Sequence, residues 1–170
     1  MIRPALLALM LATPVAAQDM SILESQLRNL DEEQDSQALV PLIAACLLGG
    51  GDAEVTATLF TDAGWTRTDD AEMGVVSLVP AWGDPYVTLY QDGAICDVTS
   101  DELSLMRADQ SLIPLLTAAQ FQVARTDVPS GCIAYDVGNG VVAEMSSAGN
   151  DPQCRSDDSS NIRFTFASAN

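Results

Sequence analysis

Twenty-four carboxylates, four cysteines, a run of three glycines and a proline-framed aromatic segment are the features of this chain that could carry chemistry. What is missing narrows them. Arg3, Arg28, Arg67, Arg107, Arg125, Arg155 and Arg163 are all seven basic residues; there is no Lys, no His, and the net charge is −17 over 170 residues. Without His there is no Ser-His-Asp triad and no imidazole metal site, and without Lys there is no Schiff base and no phosphate loop of the Walker type. The charge repels phosphate backbones and anionic lipid, so neither nucleic acid nor a membrane surface is an expected partner.

Paired carboxylates could serve as the acid and nucleophile of a glycosidase. A two-residue turn at Asn139-Gly140 would set Tyr135 opposite Glu144, near Asp136, but no pair lies in an apolar run that would raise a pKa, and no catalytic residue is assigned. Asp31, Glu32, Glu33 and Asp35 in one stretch, and Asn150, Asp151, Asp157, Asp158 and Asn161 in another, offer oxygen ligands. Neither follows the alternating acids, central Gly and closing Glu of an EF-hand, so both read as solvated loops, with no metal or cofactor. Gly49-Gly50-Gly51 could cradle an anion at a helix start, yet Asp52 and Glu54 occupy that start and would repel it; the run reads as a connector.

The segment Pro80-Ala81-Trp82-Gly83-Asp84-Pro85-Tyr86 is more specific. Two prolines stiffen it while Trp82 and Tyr86 supply large amphipathic side chains, a composition typical of binding hot spots. An Asp92-Gly93 hairpin turn sets Leu89 opposite Cys96 and Val87 opposite Val98 on one sheet face, which sends Tyr86, Thr88, Tyr90, Ile95 and Asp97 to the other. Trp82, Tyr86, Tyr90 and Ile95 are therefore the expected partner- or ligand-binding residues. The competing reading folds Trp82 back as a lid on the core and leaves the tyrosines as ordinary strand residues.

The elements that hold these residues begin with a leader. Met1-Ile2-Arg3, the apolar run Ala5 to Ala12 and the small-residue exit Val15-Ala16-Ala17 predict a secretory signal peptide over 1–17, with the mature chain starting at Gln18 in the periplasm or outside the cell. No anchor is expected, since no apolar run approaches the ~20 residues that span a bilayer. An oxidising compartment makes two disulfides the default for Cys46, Cys96, Cys132 and Cys154. Leu39, Leu42, Ile43, Cys46 and Leu47 recur with helical spacing, so Cys46 points from a helix into the layer that Cys96 enters from its strand. That pairs Cys46 with Cys96 and leaves Cys132 for Cys154.

Helix–helix–strands is the expected order in each of two halves, 36–98 and 99–170, after an N-terminal helical extension over 18–35. Leu59 to Trp65 aligns with Leu115 to Phe121 at an offset of 56, and Cys96 and Cys154 follow at 58. In the second half Thr99 and Glu102 suggest a capping box, Ser111 a second helix start, and Pro114 a place in its first turn. The class is α+β, a mostly antiparallel sheet with helices on one face and two tandem repeats. Tandem helical hairpins followed by antiparallel strands, exported and disulfide-linked, resemble in plan the β-lactamase inhibitor protein and the outer-membrane assembly lipoproteins built on its half-unit. The likeness is architectural: the Gly-Met-Thr helix-start motif and the lipoproteins' anchoring Cys are absent, and no functional residue is carried over. The functional expectation is a non-catalytic periplasmic module that binds or inhibits a protein or small ligand through an open sheet face. Its rivals are a carboxylate-dependent hydrolase and an acidic envelope accessory that docks a basic partner.

Overall fold

The computed structural model describes residues 18–33, 38–149 and 152–167. The leader over 1–17, the start of the first half at Ser36, and the acidic-loop positions Asp35, Asn150 and Asp151 lie outside the described residues. The elements run α1 (Met20–Gln26, prolonged by a 3-10 turn), α2 (Leu39–Gly49), α3 (Ala53–Asp62), β1 (Thr66–Asp70), β2 (Val75–Val79), β3 (Tyr86–Tyr90) and β4 (Ile95–Ser100). They continue with α4 (Leu105–Ala118), β5 (Ala124–Arg125), β6 (Ile133–Asp136), β7 (Val141–Ser146) and β8 (Ser160–Phe166). All eight strands form one antiparallel sheet in the order β1-β2-β3-β4-β8-β7-β6-β5. Each run of four is a meander, and the two meanders meet where β4 pairs with β8. This is the expected α+β class.

Helices cover one side. α3 lies on β1 and β2, α4 on β7 and β8, and α2 on β4 between them, while α1 packs on the far side of α2. That double cover explains why α2 has no polar face: in Leu39-Val40-Pro41-Leu42-Ile43-Ala44-Ala45-Cys46-Leu47 every residue except Val40 is buried. The periodic apolar face that points Cys46 at the sheet is real, and the residues between its positions are apolar because α1 takes the other side. Leu23 and Leu30 of the N-terminal segment enter the same core, and the Trp65 indole N–H donates to the Leu30 carbonyl at 2.7 Å.

Both disulfides pair as expected. Cys46 joins Cys96 with Cα atoms 6.0 Å apart, and Cys132 joins Cys154 at 4.8 Å. Such bonds are typical of proteins that fold in an oxidising compartment. Among the described residues no helix is long and apolar enough to cross a membrane. The Asp92-Gly93 turn also gives the expected register, with Leu89 opposite Cys96, Val87 opposite Val98 and Tyr90 opposite Ile95. Asp52 caps α3 by accepting from Val55 N–H at 3.0 Å, and Gly50 ends α2 in the left-handed region, so the glycine run is a connector.

Two local expectations fail. The second hairpin turns on three residues, Gly138, Asn139 and Gly140, all at positive φ (85°, 53° and 75°), instead of two. The register moves by one residue, so Tyr135 faces Ala143 beneath the helices and donates its hydroxyl to Asp109 at 2.9 Å, while Glu144 faces Ala134. A one-residue shift exchanges the faces of a strand, which removes the Tyr135–Glu144 grouping. In the second half there is also one helix where two were expected. Thr99 is a strand residue, Ser100 accepts from Glu102 and Leu103 N–H, and the α4 N-cap is Ser104. Ser111 and Pro114 lie inside α4. Its face Leu105, Ala108, Leu112, Leu115, Leu116 and Ala119 is buried without interruption, and that packing holds the helix together although Pro114 offers no N–H.

The aligned segments at offset 56 end their helices in the same way. Trp65 N–H donates to the Phe60 carbonyl and Phe121 N–H to that of Leu116, while Gly64 and Gln120 hold the matching positive φ, 85° and 60°. Gln120 occupies a left-handed position that glycine adopts without a Cβ penalty, and its side chain is exposed. Gln120→Gly is therefore expected to raise stability by about 0.5–1 kcal/mol, read as a higher urea midpoint at unchanged slope.

Candidate functional site: the open face of the sheet

Strand alternation sorts the sheet cleanly. Val87, Leu89, Cys96, Val98, Ile162 and Phe164 turn toward the helices and are at most 1 % exposed. Their neighbours turn away, and the register lays them in three parallel rows across β3, β4, β8 and β7. Tyr86, Thr99, Asn161 and Ser146 form a row of hydroxyls and an amide; Thr88, Asp97, Arg163 and Glu144 form a charged row; Tyr90, Ile95, Thr165 and Val142 form a largely apolar row, which Val75 extends onto β2. A pleated surface places such directly opposed side chains about 4.5–5.5 Å apart at Cβ, so each row is a contact ladder.

The charged row is the most ordered. Arg163 donates through Nε and Nη2 to the two Asp97 oxygens at 2.9 and 2.8 Å. The Asp97 side chain is 4 % exposed and that of Arg163 is 46 % exposed, so the carboxylate is sealed into the sheet beneath a guanidinium that still meets water. These hydrogen bonds outweigh the desolvation of Arg163 and hold its pKa above the usual value. Glu144 flanks Arg163 on β7 and accepts from the Ser130 hydroxyl at 2.6 Å. In the first row Asn161 Nδ2 donates to Thr99 Oγ1 at 2.8 Å. A cleft of about 210 Å³ opens over these rows, between Tyr86 and Tyr90 on one side and Ser147, Gly149 and Pro152 on the other. The Cys132–Cys154 bridge ties the segment after β7 back to the chain just before β6, so the wall formed by that segment is covalently held.

The four expected binding residues divide. Tyr86 and Tyr90 line the cleft, and Ile95 lies beside Tyr90 in the apolar row. Trp82 is elsewhere: it meets Trp65 edge-on at 6.2 Å, Trp65 packs against Phe60 with ring centroids 4.8 Å apart and the planes tilted by 59°, and Trp82 packs against the margin of the core. Its loop is fastened by Asp84, which accepts from the Ser100 hydroxyl at 2.6 Å and from Asp101 N–H at 2.7 Å. Sequence reasoning placed Asp97 on this face but did not join it to Arg163, because their pairing needs β4 beside β8. Asp97 has both oxygens engaged by Arg163. Among the described residues no three acidic or sulfur ligands converge on a metal position.

Tyr86, Tyr90 and Tyr135 are all the tyrosines of the chain, and each phenol is pushed above the usual 10.0. Burial is the main cause for all three, followed by Asp101 for Tyr86, Asp97 for Tyr90 and the Asp109 hydrogen bond for Tyr135. An acid whose folded pKa is raised contributes stability that is intact below the unfolded value and lost as pH climbs past it. The native phenolate titration should therefore have its midpoint above that of the unfolded protein in urea, which should centre near 10. Stability should fall with pH across that window. A native component titrating at the ordinary value would show that at least one phenol is more hydrated than described.

Comparison with protein-family models, curated proteins and solved structures finds no match to this chain. The likeness of plan noted from the sequence has no match behind it, and the second half carries one helix where that plan has two.

Proposed function

We propose that this is an exported, non-catalytic binding module, periplasmic or secreted, that engages a protein or small ligand through the open face of its sheet. One observation carries the reading. Val75, Tyr90 and Ile95 make a half-buried apolar ladder on the side of the sheet away from the helices, separated from Val142 by the exposed Thr165 and lying beside an ordered charged row. An antiparallel sheet with a solvated face ordinarily alternates apolar-in with polar-out, so a ladder of this kind on the outer side is unneeded for folding. The leader and the two disulfides support export.

Capture from extracellular or periplasmic extract with the oxidised protein as bait tests the reading. Tyr90→Ala and Ile95→Ala should each weaken capture by about 1 kcal/mol or more while leaving thermal stability nearly unchanged. Trp82→Ala should do the reverse, losing about 2 kcal/mol of stability with capture retained once the protein is folded, because it is seated on Trp65. Equal capture by all three variants would remove the open face as the site. The same preparation reports its N-terminus: an intact mass beginning at Gln18 is expected, and retention of residues 1–17 would refute export by this leader.

A further inference from the structure

We propose that the mature chain begins with a pyroglutamyl residue: once the leader is removed, Gln18 closes on its own α-amine, and the lactam so formed stays docked on Asn139. This rests on the export reading above, which places the new terminus at Gln18, and adds the covalent fate of that terminus.

The step needs no cofactor, oxidant or second molecule. The freed α-nitrogen of Gln18 attacks its own side-chain carbon Cδ, the Cδ–Nε2 bond breaks, and Nε2 leaves as ammonia with the proton that the attacking amine gives up. Both reacting groups belong to one residue, so no entropy is lost in bringing them together. In the run Val15-Ala16-Ala17-Gln18 the bond that a signal peptidase reads is the one whose hydrolysis creates this amine.

The folded molecule fits the product. Gln18 is half-buried, and its Oε1 accepts from Asn139 Nδ2 at 3.0 Å. The next residue is held on both sides: Asp19 N–H donates to the Ala119 carbonyl at 2.9 Å, where α4 ends, and the Asp19 carboxylate accepts from Ser21 N–H at 3.2 Å, where α1 starts. Ring closure keeps Oε1 as the lactam carbonyl, still an acceptor for Asn139, and discards Nε2, an atom that this contact does not use. With Gln18, the side chains of Met20, Leu47, Phe121, Val141 and Phe166 line a second cleft, also of about 210 Å³. An α-ammonium is costly to cover with such apolar groups, whereas the lactam is neutral. Asn139 is in reach because of its loop. The three-residue turn holds it at φ 53° between Gly138 and Gly140, and Ala167 N–H donates to the Gly140 carbonyl at 2.9 Å, which ties the turn to the residue after β8.

Mass spectrometry and stepwise N-terminal degradation of the exported, oxidised protein test this. The expected species starts at Gln18, weighs one ammonia less than that chain with its two disulfides, and yields no sequence until a pyroglutamyl aminopeptidase has removed the first residue of the unfolded chain. Gln18→Ser, exported from the same leader, should show the full mass and an open terminus. Exchange of the Asn139 side-chain amide protons should be about threefold to tenfold slower in the cyclised protein than in Gln18→Ser, the worth of one hydrogen bond. Equal exchange would overturn the docking. A chain that starts at Gln18 with its full mass and a free amine would overturn the proposal and leave the export reading standing. Loss of ammonia from a chain whose terminus still degrades would place the loss at an asparagine such as Asn139, which precedes Gly140, and would overturn it too. Retention of residues 1–17 would overturn both readings together.

Discussion

Gly93→Ala is expected to cost more than about 3 kcal/mol, a large part of the ~5–15 kcal/mol that holds a small domain folded. Gly93 sits in the β3–β4 turn at φ +95°, and an added Cβ would lie 2.6 Å from the Asp52 carbonyl carbon and 2.9 Å from Ala53 Cα. Those atoms are backbone at the start of α3 and cannot rotate aside. The turn that sets the register of the functional strands is thus also the seat of a helix. Gly83 supplies the control, since it has nearly the same φ, +96°, with nothing within 4 Å of the added methyl. Gly83→Ala should therefore show the conformational cost alone, about 1–2 kcal/mol. Urea midpoints of the two variants give the comparison. Equal losses would mean that the turn is not seated on α3.

Removing the bridge between Cys46 and Cys96 should be the second large effect. Its partners are 50 residues apart in sequence, and loop-closure entropy for that span amounts to about 4 kcal/mol on the chain-entropy model. Both sulfurs lie in the core between α2 and β4, so the double variant Cys46→Ala/Cys96→Ala also loosens the contact between the central helix and the central strands. The outer bridge, Cys132 to Cys154, spans 22 residues for about 3 kcal/mol, and its sulfurs lie outside the core. Denaturation of each double variant ranks them. The inner pair should be the costlier for stability, and the outer pair the costlier for binding, because it holds the segment that walls the cleft. A reversed order in stability would mean that α2 is not clamped to the sheet through Cys46.

Much of this architecture is legible in the sequence where the signal is local. Asp92-Gly93 with alternating flanks sets the β3–β4 register, and the helical spacing of Leu39, Leu42, Ile43 and Cys46 then suffices to choose among three disulfide pairings. The same reasoning brings Tyr86, Tyr90 and Ile95 to the outer face. It fails where several local solutions are close in energy. Asn139-Gly140 suits a two-residue turn, but Gly138 before it also accepts positive φ, and the three-residue loop is used. Pro114 reads as a helix start, yet tertiary burial of Leu112, Leu115 and Leu116 carries α4 past it. Trp82 could go to solvent or to the core, and only the position of Trp65 decides. The Arg163–Asp97 pair has no local trace at all, because its partners are 66 residues apart and meet only when the two meanders join.

That seam governs how the protein comes into being. A chain is made from its N-terminus, and here β8, the last of the described strands in chain order, belongs in the middle of the sheet between β4 and β7. Until Ser160 to Phe166 is present, β4 is an unsatisfied edge presenting the ladder groups that later pair with it, and the charged row has Asp97 without Arg163. The first meander can form its local hairpins, but its long-range closure waits for β8, a topology of slow, late-committing folding. A premature stop anywhere before Ser160 thus removes the keystone instead of a margin. The incomplete product carries an unpaired strand edge at β4 and leaves Asp97 without its guanidinium partner.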